Sequence, residues 1–146
     1  MKETRLLVPA SIHQQMIDHC RDSLPFEGCG LLSGVGRYVR HLWPLLNEAR
    51  SDKRFFVSEK YVEAAIQKAV EQKDDILAIY HSHPTTSAKP SSYDLLQHAD
   101  AKVYMIIVSF KNSAPDVKGY RIINRQPNSI PVHVVEDEKP SPFDSK

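Results

Sequence analysis

The sequence feature that most constrains the fold is a continuous apolar run over residues 76–80, Ile-Leu-Ala-Ile-Tyr. An unbroken apolar run of this length is typical of a strand that is covered on both faces and so lies inside a sheet. The run is followed directly by His81-Ser82-His83, and then by a segment rich in proline, serine and threonine. We predict that residues 81–90 form a loop. The pattern thus predicts a central strand with two histidines at its end.

The segments on either side of this run alternate between extended and helical patterns. Short apolar segments predict strands at residues 5–9, 28–34, 37–46, 55–57, 103–110, 117–124 and 130–136. Helical spacing predicts a helix capped by Ser11 and ended by Pro25, a second helix from Ser58, and a short helix over 91–99. The apolar faces of the two longer helices are Ile12, Met16, Ile17 and Cys20, and Val62, Ala65, Ile66, Ala69 and Val70.

The predicted fold class is therefore α/β, a single domain in which a mixed sheet of six or seven strands is flanked by helices. Residues 137–146 contain two prolines and several charged residues, with little that could pack against a core. We expect them to form a disordered tail.

Composition and charge exclude several classes of protein. The 146 residues include 19 Lys and Arg against 18 Asp and Glu, and a net charge of +1 gives no electrostatic footprint for nucleic acid or an anionic membrane. The longest apolar segment, residues 103–108, is far shorter than the roughly 20 residues of a membrane span, and no signal peptide is visible. Two cysteines are too few for a disulfide scaffold, so we expect a cytoplasmic protein with reduced thiols.

Residues 81–94 have the residue types and spacing of a metal site. His81 and His83 are two positions apart at the end of a predicted strand, so both side chains point to the same side. Ser91 and Asp94 have the spacing of a helix capping box, which would turn Asp94 back toward the two imidazoles. Two histidines and one carboxylate leave a fourth position of Zn²⁺ open for water, as in catalytic zinc sites.

Glu27 and Ser91 are the candidate catalytic residues. Glu27 lies beside the small-residue strand and could move a proton between water and a leaving amine. Ser91 could donate a hydrogen bond to a developing oxyanion. Simpler interpretations stay open: Ser91 can be a helix cap alone, and Asp94 a solvated first-turn carboxylate. The 54 residues between Glu27 and His81 say nothing about their distance.

The other cysteines and histidines have simpler interpretations. Cys29 stands between glycines in an apolar segment, which favours a small packed residue over a metal ligand, and Cys20 lies on an apolar helix face. His98 lies one helical turn after Asp94, so it alone among the remaining histidines is expected near the site.

Taken together, these residues resemble the JAMM (MPN+) metallopeptidases. The resemblance consists of His81-x-His83-Pro84, with seven residues between His83 and Ser91, and then Asp94. An upstream Glu27 followed by Gly-Cys-Gly-Leu-Leu belongs to the same pattern. It covers residues 1–136, and implies a cytidine-deaminase-like fold for a JAMM/MPN+ domain with those bounds. It also implies that His81, His83 and Asp94 bind zinc, that Glu27 is the general base and acid for a zinc-bound water, and that Ser91 assists.

The compact length is similar to that of short stand-alone bacterial and archaeal members of the family. Those members imply hydrolysis of a peptide or isopeptide bond after the C-terminal Gly-Gly of a ubiquitin-like sulfur carrier. The leaving group stays open between cysteine, a short peptide and a lysine of another protein, and the oligomeric state is not predicted. Two alternatives are a non-catalytic MPN-type binding module and a RadC-like protein linked to DNA repair.

Overall fold

The computed structural model describes residues 5–138, which form three helices and eight strands. The helices are α1 (Ala10–Ser23), α2 (Glu59–Glu71) and α3 (Ser92–Gln97). The strands are β1 (Leu6–Pro9), β2 (Cys29–Val35), β3 (Tyr38–Leu45), β4 (Asp75–His83), β5 (Tyr104–Ser109), β6 (Asp116–Ile123), β7 (Gln126–Ile130) and β8 (Val132–Val135).

The strands form one mixed sheet in the order β7-β6-β5-β4-β2-β3-β1-β8. β4 is central, as its apolar run predicts: it pairs antiparallel with β2 and parallel with β5. The parallel pairing of β4 and β5 is made possible by the crossover through α3, which returns the chain to the same end of the sheet. The end of β4 is therefore flanked by the start of β2, the end of β5 and α3.

The two faces of the sheet have different coverings. The apolar face of α1 packs with Leu32, Tyr80 and Ile106 in the larger core cluster. α2 and α3 contribute to the opposite face, where Val62 and Tyr93 line a cavity with Ile79 of β4. Because neighbouring residues of a strand point to opposite faces, Tyr80 enters the α1 core. His81 faces α2 and α3 instead.

Glycines in β2 let these layers approach closely. A Cβ added at Gly30 would lie 2.4 Å from the ring of Tyr80, which is completely buried. The Tyr80 hydroxyl is 2.7 Å from His19 Nδ1, so the ring is held between α1 and the sheet. The glycine-rich pattern of this strand thus reflects the close approach of the Tyr80 ring.

The sheet curls so that its two ends meet. β7 and β8 are at opposite ends of the strand order but are separated by Pro131 alone. A Cβ at Gly119 of β6 would lie 2.6 Å from Val132 Cγ2 of β8, which shows how near the ends are. The single strand predicted over 130–136 is therefore wrong, because the chain changes from one end of the sheet to the other at Pro131.

Three further expectations are corrected. Residues 81–83 are not loop but the last three residues of β4, since they pair with residues 107–109 of β5. Residues 55–57 are not a strand, because Phe56 N donates to the Asn47 side chain and Phe56 O accepts from Glu48 N. Ser11 is not the cap of α1, which starts one residue earlier.

Other expectations hold or lie outside the described residues. Cys20 and Cys29 are fully buried free thiols, as their apolar surroundings predict. The face of α2 is less buried than its pattern predicts: Ala65 and Ala69 are covered, whereas Ile66 and Val70 are exposed. Of the predicted tail, Asp137 accepts a hydrogen bond from Ser11 N at 3.0 Å. Residues 139–146 lie outside the described range.

Candidate metal centre and active site

The end of β4 and the first turn of α3 bring His81, His83 and Asp94 together. Asp94 Oδ2 lies 3.1 Å from His81 Nε2 and 3.0 Å from His83 Nε2. One ligand atom from each residue lies within 4.8 Å of the others, and all three side chains are buried. They are the only such metal-competent group within residues 5–138. The convergence predicted from the spacing is therefore present.

Hydrogen bonds to neighbouring groups orient the ligands. His83 Nδ1 donates to the Ser87 carbonyl at 2.8 Å, which leaves Nε2 of that ring for the site. The predicted capping box at α3 is present: Asp94 N donates to Ser91 Oγ at 3.0 Å, and Ser91 N donates to Asp94 Oδ2 at 2.9 Å. The cap and the metal site therefore share one carboxylate.

The charges of these three groups depend on one another. Burial would raise the pKa of Asp94, but the nearby imidazoles of His81 and His83 and a hydrogen bond from Ser91 N outweigh it and hold that pKa far below its usual range. Burial lowers the pKa of His81. It acts in the same direction on His83, but the contacts with Asp94 and the Ser87 carbonyl prevail and raise the pKa of His83. Asp94 is thus a carboxylate, as a metal ligand must be.

The residues fit a divalent metal ion. His81 Nε2 and Asp94 Oδ1 are buried and have no aligned hydrogen-bond partner within the described part of the chain. Buried polar atoms are rarely left in this state, because burial without a partner costs about 1–3 kcal/mol. A cation at this point would be contacted by both atoms and by His83 Nε2. Nitrogen and carboxylate ligands of this kind suit a transition metal. The three residues therefore form a group at the end of β4 that could hold a metal cofactor.

The register between β2 and β4 places Glu27 beside this site. Cys29 pairs with His81, so the same antiparallel register places Glu27 opposite His83. The backbone continues to pair beyond the strand, since Ser82 N donates to Gly28 O at 3.0 Å and Gly28 N donates to Ser82 Oγ at 2.8 Å. Ser82 therefore holds the β2 extension and is buried.

The Glu27 carboxyl group is in an apolar and negatively charged environment. It is 2% exposed, and its Oε1 has no partner within the described range. Burial, together with the negative charges of Asp94 and Asp52, raises the pKa of Glu27 to about 8, although His83 acts in the opposite direction. A carboxyl group whose pKa lies near neutrality can both accept and return a proton.

The segment between β3 and α2 contributes Asn47 and Phe55, to which the sequence assigned no role in the site. Phe55 stacks on the His81 ring with 5.0 Å between the ring centroids. Asn47 is buried and joins this segment to Glu27: its Nδ2 donates to the carbonyls of Glu27 and Arg54, each at 3.1 Å. Its Oδ1 accepts from Ala49 N and Phe56 N, each at 3.0 Å. The segment has no periodic pattern, so its position could not be predicted.

A largely apolar cavity lies next to the metal ligands. Its volume is about 230 Å³, and it extends from His81 and Asp94 to Phe56 and Val62. His98, expected near the site, lines this cavity and lies 2.7 Å from the Val103 carbonyl through Nε2. The cavity provides an apolar surface beside the ligands.

The sequence is similar to known peptidases. Over 136 residues it is 31% identical to the "CysO-cysteine peptidase" of Mycobacterium bovis, an alignment that covers 90% of this chain and 92% of that protein. Over 101 residues it is 30% identical to the "Desampylase" of Haloferax volcanii, with 64% of this chain and 73% of that protein covered.

The fold is similar to those of known structures. A protein of Desulfitobacterium hafniense superposes with a TM-score of 0.84 at 26% identity, covering 90% of this chain and 94% of that chain. A JAB1/MPN domain protein of Archaeoglobus fulgidus superposes with a TM-score of 0.61 at 24% identity, covering 90% and 100%. The predicted α/β fold of the JAMM/MPN type is thereby confirmed.

No helix within residues 5–138 has the length and apolar character needed to cross a membrane.

The model of the family described as prokaryotic homologs of the JAB domain matches residues 9–123, which is well over half of the chain. The peptidases among its relatives and the JAB1/MPN fold agree with that match. The chain therefore belongs to the prokaryotic JAB family and is a hydrolase of the JAMM type.

Proposed function

We propose that the protein is a zinc-dependent peptidase that hydrolyses the bond after the C-terminal Gly-Gly of a ubiquitin-like sulfur carrier. The observation that carries the proposal is the pair of buried, unpartnered ligand atoms of His81 and Asp94 beside His83, with Glu27 opposite His83 in the β2–β4 register. The relatives named "CysO-cysteine peptidase" and "Desampylase" support hydrolysis of a conjugate of this kind.

His81, His83 and Asp94 would hold Zn²⁺ and leave a position for water. Zinc bound in this way lowers the pKa of water toward 7 and polarises a carbonyl oxygen. Asp94 and the Ser87 carbonyl orient the His83 ring, and Phe55 covers one face of the His81 ring. These contacts fix the ligands before substrate binds, which lowers the cost of organising the site.

Glu27 would move the protons of the reaction. It takes a proton from the attacking water and delivers a proton to the leaving nitrogen as the carbon–nitrogen bond breaks. One water is consumed, and the products are a carrier carboxylate and a free amine. Burial raises the pKa of Glu27 to about 8 in the metal-free protein, and a bound divalent cation would lower it, so that the carboxylate could accept a proton near neutral pH and later return it.

Ser91 would stabilise the negative charge that develops on the scissile carbonyl oxygen. Its Oγ already accepts the Asp94 N–H, so its hydroxyl hydrogen remains available as a donor. Removing one oxyanion donor costs about 10²–10³ in kcat in well-studied hydrolases. The cap and the donor role therefore use different parts of the same hydroxyl group.

The test is hydrolysis of a carrier protein that ends in Gly-Gly followed by cysteine or a short peptide. Intact-mass spectrometry should show loss of the extension with the zinc-loaded protein, and no loss after a chelator is added. Glu27→Ala should keep its zinc and lose nearly all turnover. Full activity of that variant would remove Glu27 from the mechanism, and no cleavage by a zinc-loaded wild-type protein would exclude the sulfur-carrier substrate.

A further inference from the structure

Glu27 also lines a second groove, separate from the apolar cavity at His81. This groove has a volume of about 600 Å³, and its lining residues do not include His81, His83 or Asp94. It runs between the end of α1 and the segment that follows β3, past Leu24, Phe26 and Asn47. Glu27 therefore forms part of the wall of a space that the metal ligands do not line, although its side chain is almost fully buried.

Arg50 is the cation of this groove. Its guanidinium group lies 5.6 Å from the centre of the Phe26 ring, next in sequence to Glu27. It forms no ion pair with any residue from 5 to 138. The ring contact is compatible with an additional ligand, since stacking leaves the N–H groups at the edge of the guanidinium free.

The backbone at Arg50 adopts a conformation that few residues of its type adopt. Its φ is +47°, in the left-handed region that side chains other than Gly, Asn and Asp seldom occupy. The turn is closed by Arg50 N, which donates to the Asn47 carbonyl at 3.3 Å. Strained positions of this kind are concentrated at functional sites. The turn aims the Arg50 side chain toward Phe26 and the groove.

The remaining charges of the groove decide what Arg50 can bind. Glu48 uses its carboxylate to accept from the backbone and hydroxyl of Ser58, so it does not neutralise Arg50. Asp22 adds a second negative charge at the end of α1. Glu48 and Asp22 repel an extended acidic segment. A single carboxylate placed at the Arg50 guanidinium can instead accept two parallel N–H hydrogen bonds from it.

We propose that Arg50 binds the free α-carboxylate of a single amino acid attached to the Gly-Gly end, so that the protein releases one residue at a time. This inference rests on the proposed function, in which Glu27 protonates the leaving nitrogen. That nitrogen must lie beside Glu27, and in a one-residue leaving group the carboxylate is two bonds away. A lysine side chain of another protein would present an uncharged methylene chain there instead.

The experiment compares two substrates that differ only at this carboxylate. A carrier with a C-terminal Gly-Gly thioester is ligated to cysteine or to cysteinamide, and a third substrate carries Gly-Gly on the Nε of a lysine in a peptide. Initial rates are followed by intact-mass spectrometry with the zinc-loaded protein. We expect kcat/KM for the acid to exceed that for the amide and for the isopeptide by at least about tenfold.

The variants assign this preference to the guanidinium. Arg50→Asn removes it and tolerates the positive φ, so we expect the acid to lose its advantage, chiefly through a higher KM for the acid. Arg50→Lys should restore part of it. Arg54→Asn, which removes a cation from the same segment, should keep the full preference.

Three outcomes overturn the inference and are distinguishable from failure of the proposed function. Equal cleavage of acid and amide by the wild type, or an unchanged preference in Arg50→Asn, would exclude Arg50 as the carboxylate site while the peptidase activity stands. Cleavage of the lysine isopeptide at the highest rate would do the same. If none of the three substrates is cleaved, the proposed function fails and the inference fails with it.

Discussion

Glu27 shows how a single buried acid couples stability to pH. Its pKa is raised from 4.5 to about 8 by burial and by neighbouring carboxylates, so the folded, metal-free protein holds it protonated at neutral pH. A folded-state pKa above the unfolded-state value means that its contribution to stability is complete below about pH 4.5. That contribution is lost as the pH rises through 8.

Glu27→Gln should remove this pH dependence, because an amide of the same shape has no proton to lose. We expect the metal-free variant to be more stable than the metal-free wild type at pH 8, by on the order of 3 kcal/mol. Urea unfolding from pH 4.5 to 8.5 measures the difference. Asp52→Asn is the control, since it should change the slope only slightly. Parallel curves for wild type and Glu27→Gln would contradict the raised pKa.

Asn47 makes four hydrogen bonds and joins Glu27 to the segment that carries Phe55. Asn47→Asp keeps the acceptor but replaces the two N–H donors with a buried charge, so both carbonyl contacts are lost. We expect kcat to fall by tenfold or more, with a loss of about 2 kcal/mol in unfolding free energy. Zinc content should be retained.

The matched control is Asn128→Asp, an exposed amide whose side chain donates to two carbonyls. It should leave both activity and stability near the wild-type values. An Asn47→Asp variant that keeps full kcat would show that the orientation of Glu27 does not depend on this amide.

At this scale local sequence spacing predicts the relative positions of some site residues but not of others. His81, His83, Ser91 and Asp94 lie within 14 residues, and strand alternation and the capping box are local rules that place them together. Glu27 reaches the site through register across a sheet, which local spacing does not specify. Asn47 acts through an irregular segment, for which sequence patterns give no geometry.

Among the helices, α3 is the shortest, yet its capping box supplies two residues of the candidate site, Ser91 and Asp94. Its capping box fixes the direction of Asp94, and the Ser91 hydroxyl serves both the cap and, in the proposed mechanism, the oxyanion. Ser91→Ala should lose about 1 kcal/mol of stability and at least about tenfold in kcat. The two effects need to be separated.

Ser91→Gly separates them, because glycine at a helix cap costs only a few tenths of a kcal/mol relative to serine. If the hydroxyl acts on the substrate, Ser91→Gly should lose as much kcat as Ser91→Ala while it keeps more stability. Ser91→Thr should recover part of the activity. Near-normal kcat in Ser91→Gly would reduce Ser91 to a structural cap.

The paired strands β2 and β4 position the candidate site. Gly30 of β2 lies against the Tyr80 ring of β4, on the face of the sheet that α1 covers. An added methyl group would lie 2.4 Å from three atoms of the Tyr80 ring, which cannot move because it is fully buried and its hydroxyl contacts His19. We expect Gly30→Ala to lower the unfolding free energy by about 2–3 kcal/mol. Thermal unfolding measures the loss.

Gly36→Ala provides the comparison within the same hairpin. Nothing lies within 4 Å of its added Cβ, but its φ is +63°. The cost should therefore come from the backbone alone, about 1 kcal/mol. If Gly36→Ala is the more destabilising of the two, packing against Tyr80 is not what requires a glycine at position 30.

At the level of elements, the sequence predicts helices and strands well where their residues are periodic. The apolar run of β4 identifies the central strand, but the prolines, serine and threonines of residues 84–90 predict a loop that begins as early as His81. Residues 81–83 are strand because β5 pairs with them. Phe55 and Phe56 have strand-forming side chains, yet the Asn47 side chain takes the hydrogen bond that a strand partner would have supplied.

At the scale of the whole molecule, the two ends of the sheet approach each other, which the order of the predicted helices and strands along the chain does not indicate. β7 and β8 flank Pro131 in sequence and are at opposite ends of the sheet, and β1 lies between β3 and β8. Which distant strands pair is decided by packing of α1 against one face and of α2 and α3 against the other. Such long-range choices depend on many weak contacts rather than on any short motif.

The metal site is attached to this sheet but is not its core, so the metal-free protein should remain folded. The larger core cluster lies on the α1 face of the sheet, away from His81, His83 and Asp94. Zinc should therefore raise the melting temperature rather than create the fold. Free zinc at 100 times its dissociation constant adds about 2.7 kcal/mol, which corresponds to roughly 10 °C for a domain of this size.

Calorimetric melting with zinc and with excess chelator tests this expectation. Asp94→Asn should lose most of the zinc-induced shift because it removes a carboxylate ligand, whereas His133→Ala, a change outside the metal group, should keep it. Zinc binding should also release a proton from Glu27 near pH 7, since a divalent charge nearby lowers its pKa. Titration in two buffers of different ionisation enthalpy counts all protons released, including any from His83, and the difference between wild type and Glu27→Gln gives the share of Glu27. A chelated protein without a cooperative transition would instead make the metal a structural requirement of the fold.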